Sequence, residues 1–300
     1  MTPDTAEEIL PGVLRVLAAN PGPMTGPGTN TYVVGDGSAV VVVDPGPDDD
    51  AHLAAILDAV GGRDVTAVAA THHHADHWPL AQRLTTTVDA PLAAHGHPAM
   101  DAPDIVIADG DELAAGTRTL RAVMTPGHAS DHVCWLLDDT SLLTGDHVMS
   151  GSTVVIAPPD GDMGLYLGSL QRTRDLAPAR ILPGHGPVIE DPAAVLDYYM
   201  SHRREREASV VDALGAGAET VDEVVAAVYT DVDVLLHPVA RYSVLAHLIK
   251  LQDDGVVVAG DEVDVSTAAP DGEDGTGGGH ANPELPAHQP PGMSATWRCR

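Results

Sequence analysis

The sequence predicts an α/β layered domain that is followed by a smaller helical domain. Short β-branched runs alternate with helical segments up to about residue 190, which is typical of strands and helices packed in layers. After residue 192 the apolar residues recur with a helical period. At 300 residues with 44% hydrophobic residues, the chain can bury a sizeable core. We therefore expect domains at 1–192 and 193–259 and a tail at 260–300.

The first domain opens with a predicted hairpin over residues 31–44, where two β-branched runs flank Asp36-Gly37, a strong turn signal. A helix over 51–60 follows, because acidic residues precede it at its positive end and Gly61-Gly62 ends it. The same criteria give the remaining elements: strand 65–70, helix 78–84 with Pro79 in its first turn, strands 92–94, 105–108, 118–124, 133–137 and 141–144, helix 165–176 and strand 180–182.

The second domain is predicted to be helical, with breaks at Gly215 and Gly217 and a short hairpin or wing at 256–258. The tail at 260–300 is rich in Asp, Gly, Pro and Ala. Such a composition cannot bury enough apolar surface to order itself, so we expect the tail to be disordered. The predicted helices cover 193–214, 221–229 and 235–252.

The composition argues against several classes of function. The net charge of −29 keeps a chain soluble but repels polyanions, so broad nucleic-acid binding by the whole surface is disfavoured. No run of about 18 apolar residues occurs, so no membrane span is expected. The N-terminus lacks the basic start and apolar core of a secretory signal. Two cysteines, Cys134 and Cys299, support neither a disulfide framework nor a thiolate zinc site, and we expect a cytoplasmic protein.

Sixteen histidines are present, and many of them cluster after short apolar runs. Four predicted strands end in a polar loop that carries His or Asp, and strand ends that are neighbours in a sheet place such loops at a common edge. Glycines let the backbone of three of these loops turn tightly. The candidate side chains are His72, His74, Asp76, His77, His128, Asp146 and His185.

These residue types predict a zinc centre, because neutral imidazole and carboxylate suit this borderline ion. His72 and His74 alternate along an extended loop, so both can face one side, while Asp76 and His77 can turn toward a second ion. Asp146 has two oxygens and can bridge both ions. Two zinc ions about 3.5–4 Å apart can hold a bridging hydroxide and clamp both oxygens of a displacement. We therefore expect a hydrolase with two Zn²⁺ per chain, in which Asp76 also orients the nucleophile.

Less specific interpretations exist for these residues. The first cluster could be a solvated polar loop, although six polar groups within seven residues after a buried strand disfavour this. His128 and His185 taken alone would be turn residues in Pro-Gly-x loops, and Asp146 taken alone would be a strand-end cap. A structural zinc site is a further alternative. Such sites are usually closed and rich in Cys, and no candidate ligand here is Cys.

Neighbouring polar residues have less definite roles. His73 lies between two candidate ligands and is expected to point away from the metals. His132 and His147 could be partners of the ligands or proton carriers, and the alternative is that they are structural or exposed residues. Asp44 ends a strand, and it either orients a ligand histidine or forms a turn.

The motif His72-x-His74-x-Asp76-His77, followed by His128, Asp146 and His185, resembles the metallo-β-lactamase superfamily in order and spacing. The resemblance covers about residues 25–190 and implies an αββα sandwich. It also implies that His72, His74 and His128 hold one zinc, that Asp76, His77 and His185 hold the other, and that Asp146 bridges them. Members of the family that bind two irons tend to carry Glu at the position of His74, so zinc is expected.

Further segments resemble the lactamase-like subfamily that includes a mitochondrial endoribonuclease. That resemblance implies a winged-helix-like C-terminal domain, which residues 193–258 would form, and cleavage of single-stranded RNA. The charged run at 203–207 is otherwise typical of a solvated helix face, with a substrate contact from His202 or Arg203 as the alternative. The matching segments are Pro27-Gly28-Thr29-Asn30-Thr31-Tyr32, Asp160-Gly161-Asp162-Met163, Ser201-His202-Arg203 with Arg206-Glu207, and Val244-Leu245-Ala246-His247-Leu248 with Leu251.

Three functions fit the predicted site and domains to different degrees. RNA cleavage is opposed by the acidic surface, because phosphate contacts normally use Lys and Arg. Two zinc ions with two Asp and one hydroxide would still leave about +1 at the pocket for a short anionic segment. The alternative is a thioesterase or other small-molecule ester hydrolase similar to glyoxalase II. DNA binding by residues 193–258 is rejected, because five basic and eleven acidic residues give that stretch a charge of −6. A lid or a homodimer contact is the expected role of the second domain.

Overall fold

One long helix, Pro192–Gly215, crosses the boundary between two folded units. The structure is a computed structural model that describes residues 2–230, 232–262 and 292–300. The first unit comprises the described residues up to Ile156 together with Asp160–Arg203. The second comprises Ala157–Pro159 and the described residues from Arg204 onward. The predicted boundary at 192/193 coincides with the beginning of the long helix, whereas the units divide inside it.

A seven-stranded sheet forms one layer of the first unit, with its strands in chain order. These strands are β1 (Ala6–Leu10), β2 (Val13–Leu17), β3 (Asn30–Val34), β4 (Ala39–Val43), β5 (Asp64–Ala69), β6 (Leu92–Ala94) and β7 (Ile105–Val106). Neighbours from β1 to β4 are antiparallel, and neighbours from β4 to β7 are parallel. The pairing of Tyr32 with Val43 confirms the hairpin predicted over 31–44.

A five-stranded sheet forms the second layer. It contains β8 (Glu112–Ala115), β9 (Arg118–Met124), β10 (Val133–Leu137), β11 (Ser141–Gly145) and β12 (Arg180–Pro183). The strands lie in the order β12-β11-β10-β9-β8 and are antiparallel, except for the parallel pair of β11 and β12. The strands predicted at 118–124, 133–137 and 141–144 are confirmed.

Three helices belong wholly to the first unit: α1 (Asp50–Val60), α2 (Ala81–Val88) and α3 (Met163–Leu176). The ends of α1 follow the sequence signals. The Asp49 side chain accepts a hydrogen bond from the His52 amide, and Gly61 ends the helix with a left-handed φ of 61°. The Asp162 carboxylate caps α3 in the same way, by accepting from the Leu165 amide.

The helix predicted over 78–84 begins at Ala81 instead of Trp78, so that part of the prediction is wrong. The segment before α2 is held as turns by backbone hydrogen bonds. The Gly46 amide donates to the His77 carbonyl (2.9 Å), and the Leu80 amide donates to the Gly46 carbonyl (3.1 Å). The first of these bonds occupies the His77 carbonyl, which a helix beginning at Trp78 would have paired with the Ala81 amide.

Alternate residues of the strands show how the layers pack. In β4, Val41 faces the core between the two sheets, which also contains Trp135 of β10. Val42 faces the opposite side, where α1 and α2 cover the first sheet. On the outer side of the second sheet, Cys134 packs in a cluster with Leu176 of α3. The order helix, sheet, sheet, helix confirms the predicted αββα sandwich.

Sequence reasoning missed the hairpin of β1 and β2 and the edge strand β8. Glu7 and Glu8 of β1 are exposed, and Arg15 of β2 is buried beneath its ion pair with Glu7 (2.6 Å). The alternation of apolar and polar residues that predicts a half-buried strand is therefore weak in β1.

The second unit is built on helices and a short antiparallel ribbon. Its elements are the C-terminal part of α4 (Pro192–Gly215), α5 (Val221–Val228), a 3-10 turn at Val234–Leu236, α6 (His237–Asp253), β13 (Val257–Glu262) and β14 (Ala295–Cys299). A capping box between Thr220 and Glu223 begins α5. Val224 of α5, Leu248 of α6 and Trp297 of β14 share one buried core. The predicted helices at 221–229 and 235–252 are thus confirmed within a residue or two.

The prediction of a disordered tail is wrong for its last residues. β14 pairs antiparallel with β13, Val257 opposite Cys299, and forms the wing of which only 256–258 was expected. Trp297 is 1% exposed, and its amide donates to the Glu219 carbonyl at 2.8 Å. One buried indole and a strand ladder stabilise a segment whose average composition is that of a disordered chain. The rest of the predicted tail, 263–291, lies outside the described residues.

Within the described ranges, the helices are all too short or too polar to cross a membrane.

Replacing Trp297 by Ala should destabilise the second unit by about 3–5 kcal/mol, the usual cost of removing a large buried aromatic side chain. The measurement is hydrogen exchange of the α5 and α6 amides, which reports local opening. Arg298→Ala, one residue along the same strand but exposed, is the matched control. Equal exchange rates in the two variants would contradict the assignment of Trp297 to this core.

Candidate metal centre

Loops that follow strands of both sheets meet at one edge of the sandwich. The loop after β5 carries the histidine-rich segment 72–77, and those after β9, β11 and β12 carry His128, Asp146 and His185. Backbone hydrogen bonds join these loops, with the Val133 amide donating to Thr71 (2.8 Å) and the Gly184 amide donating to Gly145 (2.8 Å). All seven residues predicted as ligands are thereby brought together.

The first group of nitrogen atoms comes from His72, His74 and His128, whose ligand atoms lie within 4.8 Å of one another. The Nδ1 atom of His74 lies 2.9 Å from Nε2 of His72 and 3.1 Å from Nε2 of His128. His74 therefore presents its Nδ1, while the other two present their Nε2. Three imidazole nitrogens at this spacing can hold one metal ion.

The second group contains Asp76, His77 and His185. Nε2 of His185 lies 3.2 Å from Oδ2 of Asp76, and Nε2 of His77 lies 3.6 Å from the same oxygen. His77 and His185 are buried, whereas Asp76 is partly exposed. The side of this group that solvent can reach is therefore the side of Asp76.

Asp146 lies between the two groups. Its Oδ1 is 3.4 Å from Nε2 of His77 and 3.3 Å from Nε2 of His185, on the side of the second group. Its Oδ2 is 3.7 Å from Nε2 of His128, on the side of the first. One carboxylate oxygen thus faces each group, which is the placement that a bridging ligand needs.

The buried polar atoms at this point fit a cation. Among the described residues, Oδ1 of Asp146 and the Nε2 atoms of His77 and His185 are buried without a hydrogen-bond partner. Leaving such atoms unsatisfied costs about 1–3 kcal/mol each, and more for a charged group. Acceptor lone pairs that converge on one point are satisfied together by a metal ion.

Hydrogen bonds to the opposite ring nitrogen orient four of these histidines. Nδ1 of His77 contacts Oδ2 of Asp44 (2.9 Å), Nδ1 of His128 contacts the Val155 carbonyl (2.8 Å), and Nδ1 of His185 contacts the Gly28 carbonyl (3.1 Å). In His72, Nδ1 lies 3.0 Å from the Thr71 hydroxyl. With the proton on Nδ1, each Nε2 keeps a lone pair for a metal.

Asp44 performs both of the roles that its sequence position allowed. Its carboxylate orients His77 and also accepts from the Thr71 amide (2.7 Å) and the Thr71 hydroxyl (2.8 Å). Its backbone turns with a left-handed φ of 50°, which Asp tolerates better than most residues. The strand end and the ligand loop are therefore tied through one buried carboxylate.

His132 supports Asp146, whereas His147 is structural. Nε2 of His132 accepts from the Asp146 amide (3.2 Å), and its ring stacks on that of His72 with 5.0 Å between the centroids. Nε2 of His147 contacts the Thr173 hydroxyl on α3 at 2.9 Å. Of the two alternatives left open for these histidines, the first applies to His132 and the second to His147.

His73 turns away from the two groups, as expected, and forms part of a cluster that sequence reasoning missed. Its Nδ1 contacts Oδ1 of Asp131 (2.9 Å), and its ring stacks on His97 with centroids 3.7 Å apart. The Ala99 amide donates to Nδ1 of His97, so the proton of that ring lies on Nε2, 3.4 Å from Asp160. The ligand atoms of His73, His97 and Asp160 lie within 4.8 Å of one another. In the structure these side chains contact one another across separate loops, and we describe the cluster as a clamp between those loops. The sequence signals for it were the His95-Gly96-His97 segment and Asp160, neither of which indicated that the residues meet.

Arg203 is buried, so it is not part of the solvated helix face expected for the run at 203–207. Its guanidinium donates to the Val154 carbonyl and lies 5.5 Å above the Tyr166 ring. His202 lies beside the exposed ring of Tyr198, with 5.7 Å between the ring centroids.

The two groups differ in their charge. Burial, with His128 and His73 nearby, lowers the pKa of His74 to about 4, so the first group is neutral. Burial also opposes a charge on His185, but the carboxylates of Asp146 and Asp76 outweigh it and raise the pKa of His185 to about 9. Burial likewise opposes the charge of Asp76, yet His77 and His185 lower its pKa to about 2. Without metal, the second group therefore carries ion pairs.

Metal binding at neutral pH should release protons, because His185 must lose the proton that it holds below about pH 9. Affinity for Zn²⁺ should therefore rise with pH up to about 9 and fall as the pH is lowered. Calorimetric titration with Zn²⁺ at pH 7.5 in two buffers of different ionisation enthalpy measures the released protons. Identical binding enthalpies in both buffers would show that no proton leaves.

Asp44→Asn should lower the affinity for Zn²⁺ by about 10- to 100-fold, because the amide cannot hold His77 as a carboxylate does. Competition with a chromophoric chelator gives the affinity. Asp48→Asn is the control, since Asp48 is half exposed and pairs with Arg83 at the surface. The role assigned to Asp44 fails if both variants bind as the unmodified chain does.

Comparison with known proteins agrees with this geometry. Residues 24–185 match the model of the metallo-beta-lactamase superfamily, and residues 220–264 match the beta-lactamase associated winged helix domain. A beta-lactamase-like protein 2 homolog of Drosophila melanogaster is 33% identical over 81% of this chain and 88% of its own. An atrochrysone carboxyl ACP thioesterase of Aspergillus chevalieri is 35% identical over 74% of this chain and 75% of its own.

The fold is shared with solved structures. A metallo-beta-lactamase family protein from Thermus thermophilus superposes with a TM-score of 0.73 at 20% identity, covering 97% of this chain and 100% of that one. A beta-lactamase domain protein from Burkholderia ambifaria gives 0.75 at 24% identity, covering 87% and 92%. The αββα sandwich, the His and Asp side chains at its edge and the two family matches lead to one assignment: the chain belongs to the metallo-β-lactamase superfamily and carries the winged helix domain associated with it.

Proposed function

We propose that the chain is a dinuclear zinc hydrolase that cleaves small acyl thioesters or esters. The observation that carries the proposal is the buried Asp146, which presents one oxygen to each of two groups of ligands. His72, His74 and His128 would hold one ion, Asp76, His77 and His185 the other, and Asp146 both. A ligand set of five imidazoles and two carboxylates suits zinc.

Two zinc ions bound here would lower the pKa of water toward neutrality and polarise the substrate carbonyl. The residues of the chain contribute position and access. Asp76 and His74 are the partly exposed members of the set, so substrate approaches from their side. The side chain of Asp76 is 27% exposed, and its carboxylate can accept a hydrogen bond from a water on that side.

The charges of the first unit favour a carbonyl substrate over a polyanion. Most of its arginines are already in ion pairs, which leaves few cations to contact phosphates. The Aspergillus chevalieri relative is named as a thioesterase, which points to the same chemistry. The ion pairs are Arg15–Glu7, Arg83–Asp48, Arg118–Asp138, Arg172–Asp109, Arg174–Asp197 and Arg180–Glu190.

Cleavage of single-stranded RNA, which the sequence resemblance implies, is the second candidate. One observation favours it: the Tyr198 ring is 57% exposed, and an exposed aromatic ring can stack on an unpaired base. The acidic charge of −29 weighs against it.

The test is a panel of substrates offered to the zinc-loaded protein: acyl thioesters that include S-lactoylglutathione, short single-stranded RNA, a phosphodiester dye and a β-lactam. Thioester turnover is expected. Asp76→Ala should lower it at least about a hundredfold, because the second ion loses a ligand and the water loses its acceptor. Asp101→Ala, an exposed carboxylate of the same unit, should have no effect.

Cutting of RNA alone, abolished in Asp76→Ala and kept in Asp101→Ala, would replace the thioester proposal by the second candidate. If Asp76→Ala turned over any of these substrates as fast as the unmodified protein, the catalytic centre would have to lie elsewhere in the chain.

A further inference from the structure

We propose that a cavity beside the metal centre binds the apolar acyl chain of the substrate. This inference rests on the proposed thioester hydrolysis and specifies its substrate. The cavity has a volume of about 300 Å³. Its walls come from the loop that follows Asp146, the loop that follows His185, and the first turns of α4. The residues used below are Met149, Ser150, Ser152, Ile189, Val195 and Tyr198.

Two adjacent loops connect this cavity to the metal ligands. The Gly184 amide donates to the Gly145 carbonyl, so the loops start side by side at the residues that precede His185 and Asp146. They are still in contact further along, because a side chain on Gly186 would meet Ser150 at 3.2 Å. A substrate whose scissile bond lies at the metal centre can therefore extend along this pair of loops into the cavity.

The loop that follows Asp146 is held in place by Tyr199, which is 2% exposed. The Tyr199 hydroxyl accepts from the Met149 amide (3.1 Å) and lies within hydrogen-bonding distance of the carbonyls of Met149 and Ser152. One wall of the cavity is thus held by hydrogen bonds within the protein. A preformed site loses less entropy on binding, which favours affinity.

The lining determines the chemistry of the ligand. It contains no charged side chain, and its apolar surface comes from Met149, Ile189 and Val195. Tyr198 also lines the cavity and is exposed. A volume of about 300 Å³ is at the lower end of the range for small-molecule sites, so it takes one group of a substrate. Thiol carriers are polar and often charged. The group that fits an uncharged apolar cavity is the acyl chain.

The test is a series of N-acetylcysteamine thioesters from acetyl to decanoyl, so that the thiol stays constant. The kcat/KM of the zinc-loaded protein should rise about three- to fourfold per methylene until the cavity is full, the gain expected for burying one CH₂. Val195→Trp should fill the cavity and lower kcat/KM for octanoyl at least about tenfold while acetyl turnover stays within about twofold. Val195→Ala should move the optimum toward longer chains.

Val106→Trp, the same change at a 67% exposed position on β7, is the matched control and should leave the whole series unchanged. A kcat/KM that does not depend on chain length in the unmodified protein would overturn the inference. An equal loss for acetyl and octanoyl substrates in Val195→Trp would overturn it as well.

A second measurement separates this inference from the proposed function. Octanamide, which is neutral, should bind the metal-free protein in calorimetric titration, and the binding should be lost in Val195→Trp. Octanamide binding with no thioester turnover would support the assignment of the cavity and contradict the proposed activity. Thioester turnover without octanamide binding would support the proposed activity and contradict the assignment of the cavity. A different result would assign the cavity to a nucleotide base. In that case the unmodified protein would show no preference for acyl-chain length, and Tyr198→Ala would lose the cutting of RNA.

Discussion

The candidate metal centre depends on one buried carboxylate, Asp146, that is surrounded by imidazole rings. Burial alone would raise the pKa of Asp146, yet His77 and His185 hold it well below its usual range, so the group stays charged in a dry environment. To stabilise this charge, each surrounding loop must place its side chains within contact distance of the Asp146 carboxylate. The parallel pairing of β11 with β12, whose ends carry Asp146 and His185, meets this requirement in the second sheet. The loops after β5 and β9 bring the remaining five candidate ligands to the same place.

Buried residues around the candidate ligands hold the ligand-bearing loops in position. Asp44, at the end of β4, holds His77 and Thr71 together, and His132 holds the backbone of Asp146. Each is itself buried and fully engaged, so the loops are fixed by strand ends and not by their own sequence. Asp131 and Asp160 add a clamp around His73 outside the metal groups. Within this surrounding shell, His74 and Asp76 are the candidate ligands that remain partly exposed to solvent.

Much of this could be predicted from the sequence, because the signals are local. The hairpin around Asp36, the caps of α1 and the dense cluster from His72 to His77 each depend on residues adjacent in the chain. The predictions that failed depend on contacts between residues far apart in the chain. β14 is stabilised by Trp297 packing on helices far away in sequence, and the partners of His73 come from three separate loops. The beginning of α2 was misplaced because a hydrogen bond to Gly46, more than thirty residues earlier, holds the preceding turns.

The loop that follows β11 serves two purposes at once. Asp146 at its start faces the metal groups, and Met149, three residues later, lines the cavity and is held by Tyr199. The two sites therefore share one short stretch of backbone. Substitutions on this segment are expected to affect both sites, and their effects should not be additive with changes elsewhere in either site.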